Sequence, residues 1–340
     1  MKIGLIGGGN ISNTHAKAAR AIAGVEIAAI YGTNPEKVNR LSRDHGAAAY
    51  NDFAAFLRHP MEMVIVGGPS GLHSNQGIAA AEHGLHVLVE KPIDISTERA
   101  DALIAECQKA GVKLGVIFQD RFKQDICRLR HFIQEGRLGR LLLVDARVKW
   151  YRPPEYYRDS RWRGTWALDG GGALMNQGVH TVDLLLWLLG DVKVIKAWTA
   201  TLLHKIETED TALTLLEFSN GGLGTLLATT AAYPGYPRRV EVTGSEGTVI
   251  LENDSIVKAD LRGEPVALIR QDLANQNPSF SSPVVSDFRG HQLAIEDFIQ
   301  AIGENTTPRC DGAEARRSVA VIEEIYRVAG KPKRTLLTPL

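Results

Sequence analysis

Glu90-Lys91-Pro92 ends the apolar run Val87-Leu88-Val89, well downstream of a glycine-rich opening, Gly7-Gly8-Gly9-Asn10-Ile11-Ser12. An ammonium held where a strand ends, beside a dinucleotide site, can meet a substrate hydroxyl, stabilise a developing alkoxide and help shuttle its proton. Pro92 fixes the turn, and Glu90 offers a counter-charge to orient the Lys91 amine; the bland alternative is a solvated strand end. A second group lies far along the chain. Asn176, His180 and Asp183 fall at i, i+4 and i+7, one polar stripe on a helix whose other face carries Val179, Val182, Leu186 and Leu189. A histidine is the side chain best suited to take a hydroxyl proton near neutral pH, with Asp183 one turn away to set its tautomer. A buried histidine that only satisfies Asp183 is the simpler reading of the same spacing. No metal is expected, because His-x-x-Asp without further clustered ligands lacks the usual three-ligand set. Lysine and histidine together point to hydride transfer from an alcohol to a nicotinamide.

The cofactor residues follow from the opening. Gly7 permits the tight turn, Gly9 lets backbone approach a pyrophosphate, and the helix entered through Asn10 and Ile11 aims its amides at that charge. Ser12 stands where a third Gly or Ala is usual. At the end of the second apolar run Gly32-Thr33-Asn34 replaces the acidic residue that would bind the ribose of NAD. Thr33, Asn34 and Lys37, with Arg40 nearby, favour NADP slightly over NAD, although Thr33 and Asn34 also read as the cap of a helix starting at Pro35. Gly68 and Pro69 leave room for the nicotinamide ribose and phosphates, and His73 either touches the cofactor or caps and packs its helix. Gln119, just past the last run of this half, joins Glu90 and Lys91 among the cofactor-binding candidates. In Tyr156-Tyr157-Arg158-Asp159-Ser160-Arg161-Trp162-Arg163-Gly164-Thr165-Trp166, Arg163 can clamp a phosphate or carboxylate, and Trp162 or Trp166 can stack on a ring. Aromatic burial pinning a loop is the alternative there.

These residues need elements to hold them. Lys2 to Ile6, Val25 to Tyr31, Met63 to Val66, His86 to Val89 and Lys113 to Phe118 are apolar runs without clean alternation, as in strands covered on both faces. Helical segments Pro35 to His45, Ser74 to His83 and Thr97 to Ala110 lie between them, stopped by Gly46, Gly84 and Gly111. This is the doubly wound parallel α/β pattern. Beyond Phe118, strands dominate: Leu141 to Lys149, Val194 to His204, Ala212 to Phe218, Leu223 to Ala231, Arg239 to Thr243 and Thr248 to Glu252 predict an open, mostly antiparallel sheet. A helix from about Ala173 to Leu189 interrupts the series, and others follow at His291 to Ile302 and Ala313 to Ala329. Ala274 to Gly290 reads as a long surface loop. The expected division is a dinucleotide-binding domain at 1–120 and a substrate-binding and oligomerisation domain at 121–340.

Composition bounds the partners. Lysine plus arginine and aspartate plus glutamate are equal at 39 each, so no overall field draws the chain of 340 residues to nucleic acid or an anionic membrane. Cys107, Cys127 and Cys310 form no disulfide or zinc pattern and fit a reducing cytoplasm. The first residues read as a strand rather than a signal peptide, and the longest apolar run, Leu184 to Leu189, is too short to span a bilayer.

Gly7-x-Gly9, the Glu90-Lys91-Pro92 turn and the helix with His180 and Asp183 together resemble the family of glucose-fructose oxidoreductase, inositol dehydrogenase and the rhizopine catabolism protein (Gfo/Idh/MocA), with fitting spacing over nearly the whole chain. The resemblance implies an N-terminal Rossmann domain, a C-terminal α/β domain whose open sheet often serves oligomer contacts, and NAD(P)-dependent oxidation of a sugar, sugar derivative or cyclitol by a homodimer or homotetramer. Inositol dehydrogenases of the family carry an aspartate four residues before the histidine, where this chain has Asn176. The run Trp162 to Trp166 followed by Asp169-Gly170-Gly171-Gly172 looks more like members acting on nucleotide-linked sugar acids or other hexose derivatives. Two alternatives resemble the same scaffold: a glycosidase that uses bound NAD transiently, and a non-catalytic regulator that senses sugar or dinucleotide.

Overall fold

The computed structural model describes residues 1–263 and 287–330, and the backbone of 333–334. The expected loop at Ala274 to Gly290 lies outside the described residues as far as 286. The first half runs β1 (Lys2–Ile6), α1 (Asn10–Arg20), β2 (Glu26–Tyr31), α2 (Pro35–His45), β3 (Ala48–Tyr50), α3 (Phe53–Leu57), β4 (Met63–Val66), α4 (His73–Glu82), β5 (His86–Glu90), α5 (Thr97–Ala110) and β6 (Leu114–Ile117). Then come α6 (Gln124–Gln134), β7 (Leu141–Lys149), α7 (Pro154–Arg158), a π-helical turn (Ala173–Gly178), α8 (Val179–Leu189), β8 (Val192–Thr201), β9 (Thr211–Phe218), β10 (Leu223–Thr229), β11 (Arg239–Gly244), β12 (Gly247–Glu252), β13 (Ser255–Leu261), α9 (Arg289–Gly303), α10 (Gly312–Ala329) and β14 (Lys333–Arg334).

The chain divides into two compact units. Met1–Gln119 makes the first, together with the described part of Val284–Val319. Its six strands form a parallel sheet in the order β3-β2-β1-β4-β5-β6, which reverses direction of growth at β1 and is doubly wound as expected. β4 is buried at every residue and β5 at all but its first, so neither could alternate polar and apolar side chains. Helix α9 returns to this unit, where Phe298 packs on the glycine face of β6 at Gly115.

The second unit carries an eight-stranded sheet, β13-β12-β11-β7-β10-β9-β8-β14. Pairing is antiparallel except for β7 with β10 and β8 with β14. β9 alternates strictly, with Ala212, Thr214, Leu216 and Phe218 inward and Leu213, Leu215 and Glu217 outward. Helix α8 is buried on nearly all sides, which its run Leu184-Leu185-Leu186 requires. The helix expected from Ala173 to Leu189 is therefore two pieces, a wide π turn followed by α8, closed at Gly190 with φ +93. None of the three cysteines is in a disulfide, and burial pushes the Cys107 thiol up to about 12. No helix among the described residues is long and apolar enough to cross a membrane.

Candidate active site

In the first unit the turn after β1 is a cradle. Gly7 has φ +131, and a Cβ there would come within 2.9 Å of the Gly67 carbonyl oxygen, so only glycine fits without displacement. Gly9 caps α1 with no side-chain hydrogen bond, the first turn holds no acidic residue, and a Cβ on Gly9 would meet nothing within 4 Å. The opening amides of Asn10 and Ile11 thus head a helix whose N-terminus is open to an anion, the arrangement a dinucleotide pyrophosphate uses. Gln119 adds a second sign of fit: its Oε1 is buried without a hydrogen-bond partner among the described residues. A buried acceptor left bare costs about 1–3 kcal/mol, which a donor on a bound cofactor would recover.

At the end of β2, Thr33 and Lys37 are exposed, and the Asn34 side chain accepts from the Lys37 amide at 3.0 Å, so the capping role read for Asn34 is realised. Gly68 and Pro69 follow β4. His73 is buried: its Nδ1 lies 2.8 Å from the Pro92 carbonyl oxygen and its Nε2 3.1 Å from that of Gly68. The imidazole joins the Gly68 loop to the turn after Lys91; of the two sequence readings, packing describes it and an edge offered to cofactor does not.

Glu90 is also buried. Its Oε1 accepts from His15 Nε2 at 2.8 Å with His291 Nε2 at 3.6 Å, and its Oε2 accepts from the Lys91 amide at 3.1 Å. Burial favours the neutral acid, but the imidazoles of His15 and His291 outweigh it and hold the carboxyl well below its usual range. Burial lowers the His15 pKa despite Glu90, so a neutral imidazole donates to an ionised carboxylate. Glu90 thus fixes the backbone from which Lys91 departs. The three ligand-type atoms of His15, Glu90 and His291 lie within 4.8 Å of one another, a set whose His15–Glu90 hydrogen bond accounts for it without an ion.

The second unit holds the other stripe. His180, in the first turn of α8, is 8% exposed, and its Nδ1 lies 3.7 Å from Asp120 Oδ2. Asp120 accepts from Lys123 and from Arg238, each at 2.8 Å, and Asp254 pairs with the same two cations. Burial alone would neutralise Asp120; Lys123 and Arg238 prevail and hold its carboxyl well below the usual range. The carboxylate facing His180 is therefore Asp120, which the sequence reading missed because the cluster is assembled from residues far apart in the chain. Asp183 has a different office: fully buried, it accepts both Nε (2.9 Å) and a terminal nitrogen (2.6 Å) of Arg121. That bidentate pair anchors α8, a role beside the tautomer-setting one read for Asp183 in the sequence.

Asn176 ends the polar stripe. Its Nδ2 donates to Asp169 Oδ1 at 2.7 Å, while Asp169 Oδ2 accepts from the Gly164 amide at 2.8 Å. The π turn beneath it is gripped by Glu209, which accepts from the amides of Gly172 and Leu174 and from the Tyr326 hydroxyl. A Cβ on Gly172 would overlap the Glu209 carbonyl oxygen, which explains why glycine precedes the turn. Burial raises the Glu209 pKa to about 7, against the two amides and the tyrosine. The native state then binds a proton more tightly than the unfolded chain, so this contribution to stability is full below the unfolded pKa near 4.5 and is lost as pH rises through about 7. Thermal midpoints should fall between pH 5 and pH 8, and Glu209→Gln should flatten that slope; an unchanged slope would show that Glu209 is not the group responsible.

Arg163 lies over the Tyr156 ring at 4.2 Å and the Trp162 ring at 5.3 Å. Trp166 is partly exposed and packs edge-on against Tyr326. The site residues thus fall into two sets: Gly7, Gly9, Asn10, Ile11, Thr33, Asn34, Lys37, Gly68, Pro69, His73, Glu90, Lys91 and Gln119 in the first unit, and Trp162, Arg163, Asn176, His180 and Asp183 in the second.

Residues 1–118 match a model described as an oxidoreductase family with an NAD-binding Rossmann fold, and residues 126–250 match the GFO/IDH/MocA C-terminal domain. The WlbA dehydrogenase of Bordetella pertussis, solved in complex with NADH and UDP-GlcNAcA, is 33% identical with a TM-score of 0.87, covering 97% of this chain and 95% of that one. Myo-inositol 2-dehydrogenase of Thermotoga maritima is 28% identical over 276 residues, 78% of this chain and 80% of that protein. Inositol 2-dehydrogenase of Rhizobium meliloti is 24% identical over 347 residues, 98% of each.

Proposed function

The chain belongs to the Gfo/Idh/MocA oxidoreductase family, and from that premise we propose that it is a dehydrogenase oxidising a secondary hydroxyl of a pyranose-type sugar derivative, nucleotide-linked hexoses foremost. The observation that carries the reading is the open, uncapped N-terminus of α1 behind Gly7 and Gly9, together with a histidine set against a buried, ionised Asp120 in the second unit. A nicotinamide dinucleotide supplies the hydride acceptor. His180 removes the hydroxyl proton, the Asp120 anion favouring the imidazolium that results. Lys91 stabilises charge on the same oxygen, and Asn176, fixed through Asp169, holds a neighbouring hydroxyl. Cyclitols are the less favoured substrates, because Asn176 stands in place of an acid. Thr33, Asn34 and Lys37, with no carboxylate to repel a 2'-phosphate, support NADP beside NAD. The test is formation of reduced nicotinamide from NAD and NADP, side by side, with nucleotide sugars, free sugars and cyclitols. Activity confined to cyclitols would contradict the substrate reading.

The outer face of the second unit's sheet supports a homo-oligomer as part of the same proposal. Leu143, Trp198, Leu213, Leu215 and Leu223 are all exposed there, and register sets Leu223 beside Leu143 and Leu213 beside Trp198. Contiguous apolar surface of this kind on a sheet marks an association face, and a second copy of the chain offers a matching one. Leu215→Asp should shift the sedimentation-derived mass to that of one chain. A wild-type protein that already sediments as one chain, or a variant mass equal to that of an oligomeric wild type, would remove this face from the account.

A further inference from the structure

The charges behind His180 form a connected network within the second unit. Asp120 and Arg238 are buried, and Lys123 keeps part of its side chain in solvent. The two oxygens of Asp120 are divided between partners. Oδ1 pairs with Lys123 Nζ at 2.8 Å, whereas Oδ2 accepts from Arg238 at 2.8 Å and is the oxygen that lies 3.7 Å from His180 Nδ1. Arg238 also donates to the Thr181 hydroxyl at 3.5 Å, which sets it against the first turn of α8. Two cations on one carboxylate would outweigh its charge and disfavour a further positive group beside it. Asp254 restores the balance. It accepts from Arg238 Nε at 2.9 Å and pairs with Lys123, so each cation is shared by two acids. Burial opposes ionisation of Asp254, but Arg238 and Lys123 outweigh it and hold the carboxyl below its usual range. With Asp120 ionised for the same reason, the two acids and two cations cancel before His180 takes a proton. Arg121 and Asp183, a further charged pair at α8, offset each other through their bidentate contact.

The hairpin explains how Asp254 comes to stand there. Register pairs Glu252 with Ser255, leaving Asn253 and Asp254 as a two-residue loop between β12 and β13 with φ +47 and +68. Left-handed backbone at both positions selects Gly, Asn or Asp, and Asn would serve the turn as well as Asp. The carboxylate is therefore not required by the turn, whereas the two cations do require it. A separate bond fixes the hairpin: Asp125 Oδ2, in the first turn of α6, accepts from the Ile256 amide at 2.8 Å. We infer that Asp254 is a positioning residue for the proposed reaction: by taking a share of Arg238 and Lys123, it leaves Asp120 enough negative charge to favour the imidazolium of His180. On the proposed reading of His180 as the base, this is the device that sets the strength of that base. The two sides of the network act with opposite sign. Asp254→Asn leaves two cations against one acid, so His180 holds a proton less tightly. Lys123→Gln leaves one cation against two acids, so His180 holds it more tightly. The double variant is neutral again.

Proton affinity is read directly at the ring. In protein isotope-labelled at histidine Cε1 for magnetic resonance, loss of one signal in His180→Gln identifies that of His180. Titrated without added ligand, its midpoint should move down by about one pH unit in Asp254→Asn, up by a similar amount in Lys123→Gln, and back to the wild-type value in the double variant. Damage to packing would add across the two substitutions, whereas compensating charge cancels. Asn suits left-handed backbone and Lys123 is partly exposed, so both variants should fold. Midpoints that stay fixed, single variants that move the same way, or a double variant that does not return to wild type would each overturn the inference. The same displacements should appear in the rising limb of kcat/KM against pH for NAD reduction, measured with the nucleotide sugar, free sugar or cyclitol that reacts. If the midpoints move as expected and none of these compounds reduces NAD, the charge network stands and the dehydrogenase reading fails. If NAD is reduced while limb and midpoints stay fixed, the dehydrogenase reading stands and the role of Asp254 fails.

Discussion

His180→Ala is expected to lower kcat by about 10²–10⁴-fold, far more than it changes the dissociation constant for NAD or NADP. The asymmetry follows from where the residues lie: the glycine turn and the open end of α1 belong to the first unit, whereas His180 stands on α8 in the second. Removing the imidazole deletes the acceptor for the hydroxyl proton. It also leaves the Asp120 carboxylate facing a void, but Lys123 and Arg238 continue to neutralise that anion, so the loss should register in catalysis more than in folding. His180→Gln restores volume and hydrogen bonding without a basic nitrogen and should not rescue the rate. Steady-state kinetics together with cofactor titration by fluorescence check both halves. A kcat within about threefold of wild type would strip His180 of its role.

The second large effect is expected at Lys91. Lys91→Ala should lower kcat by about 10²–10³-fold, the usual consequence of losing a donor aimed at developing negative charge. The position is prepared by its neighbour: Glu90 is ionised and buried under His15 and His291, and it accepts from the Lys91 amide, which fixes the main chain. Because Glu90 holds the backbone here, truncating the side chain should spare the fold, and thermal unfolding should move little. Lys91→Arg is expected to recover only part of the rate, since a planar fork replaces a compact point charge. Full activity in Lys91→Ala would contradict the role.

Much of this was legible in residue order. The parallel sheet announced itself through apolar runs with no alternation, and the second sheet through a succession of strand-like runs with few helices between them, whereas the alternating burial of β9 is not written in its residue types. Short elements were not legible: β3 has three residues, and α3 five, too few to establish a period. The charged surface of α6 hid its buried stripe of Ile126, Leu129 and Phe132 among the strand signals. At the site, spacing read Asn176, His180 and Asp183 as one stripe of a single helix, whereas Asn176 lies in the π turn before α8, and spacing could not name their partners. Asp183 meets Arg121, His180 faces Asp120, and Asn176 meets Asp169, and two of these partners lie more than a whole helix away in sequence. The π turn was equally invisible, because it is held by Glu209 and Tyr326 from distant segments. The role of His291 depends on α9 returning to the first unit, a matter of tertiary path that no local pattern records.

The most direct measurement of the central claim uses a sugar substrate deuterated at the oxidised carbon, with the reduced cofactor isolated after turnover and analysed by mass spectrometry and proton resonance. A dehydrogenase of the proposed kind yields stoichiometric reduced nicotinamide carrying deuterium at C4, and His180→Ala slows its appearance in proportion to kcat. Turnover that returns the deuterium to the sugar and accumulates no reduced cofactor would instead identify the transient use of NAD by a glycosidase, and tight binding of both ligands with no deuterium movement would identify a sensor.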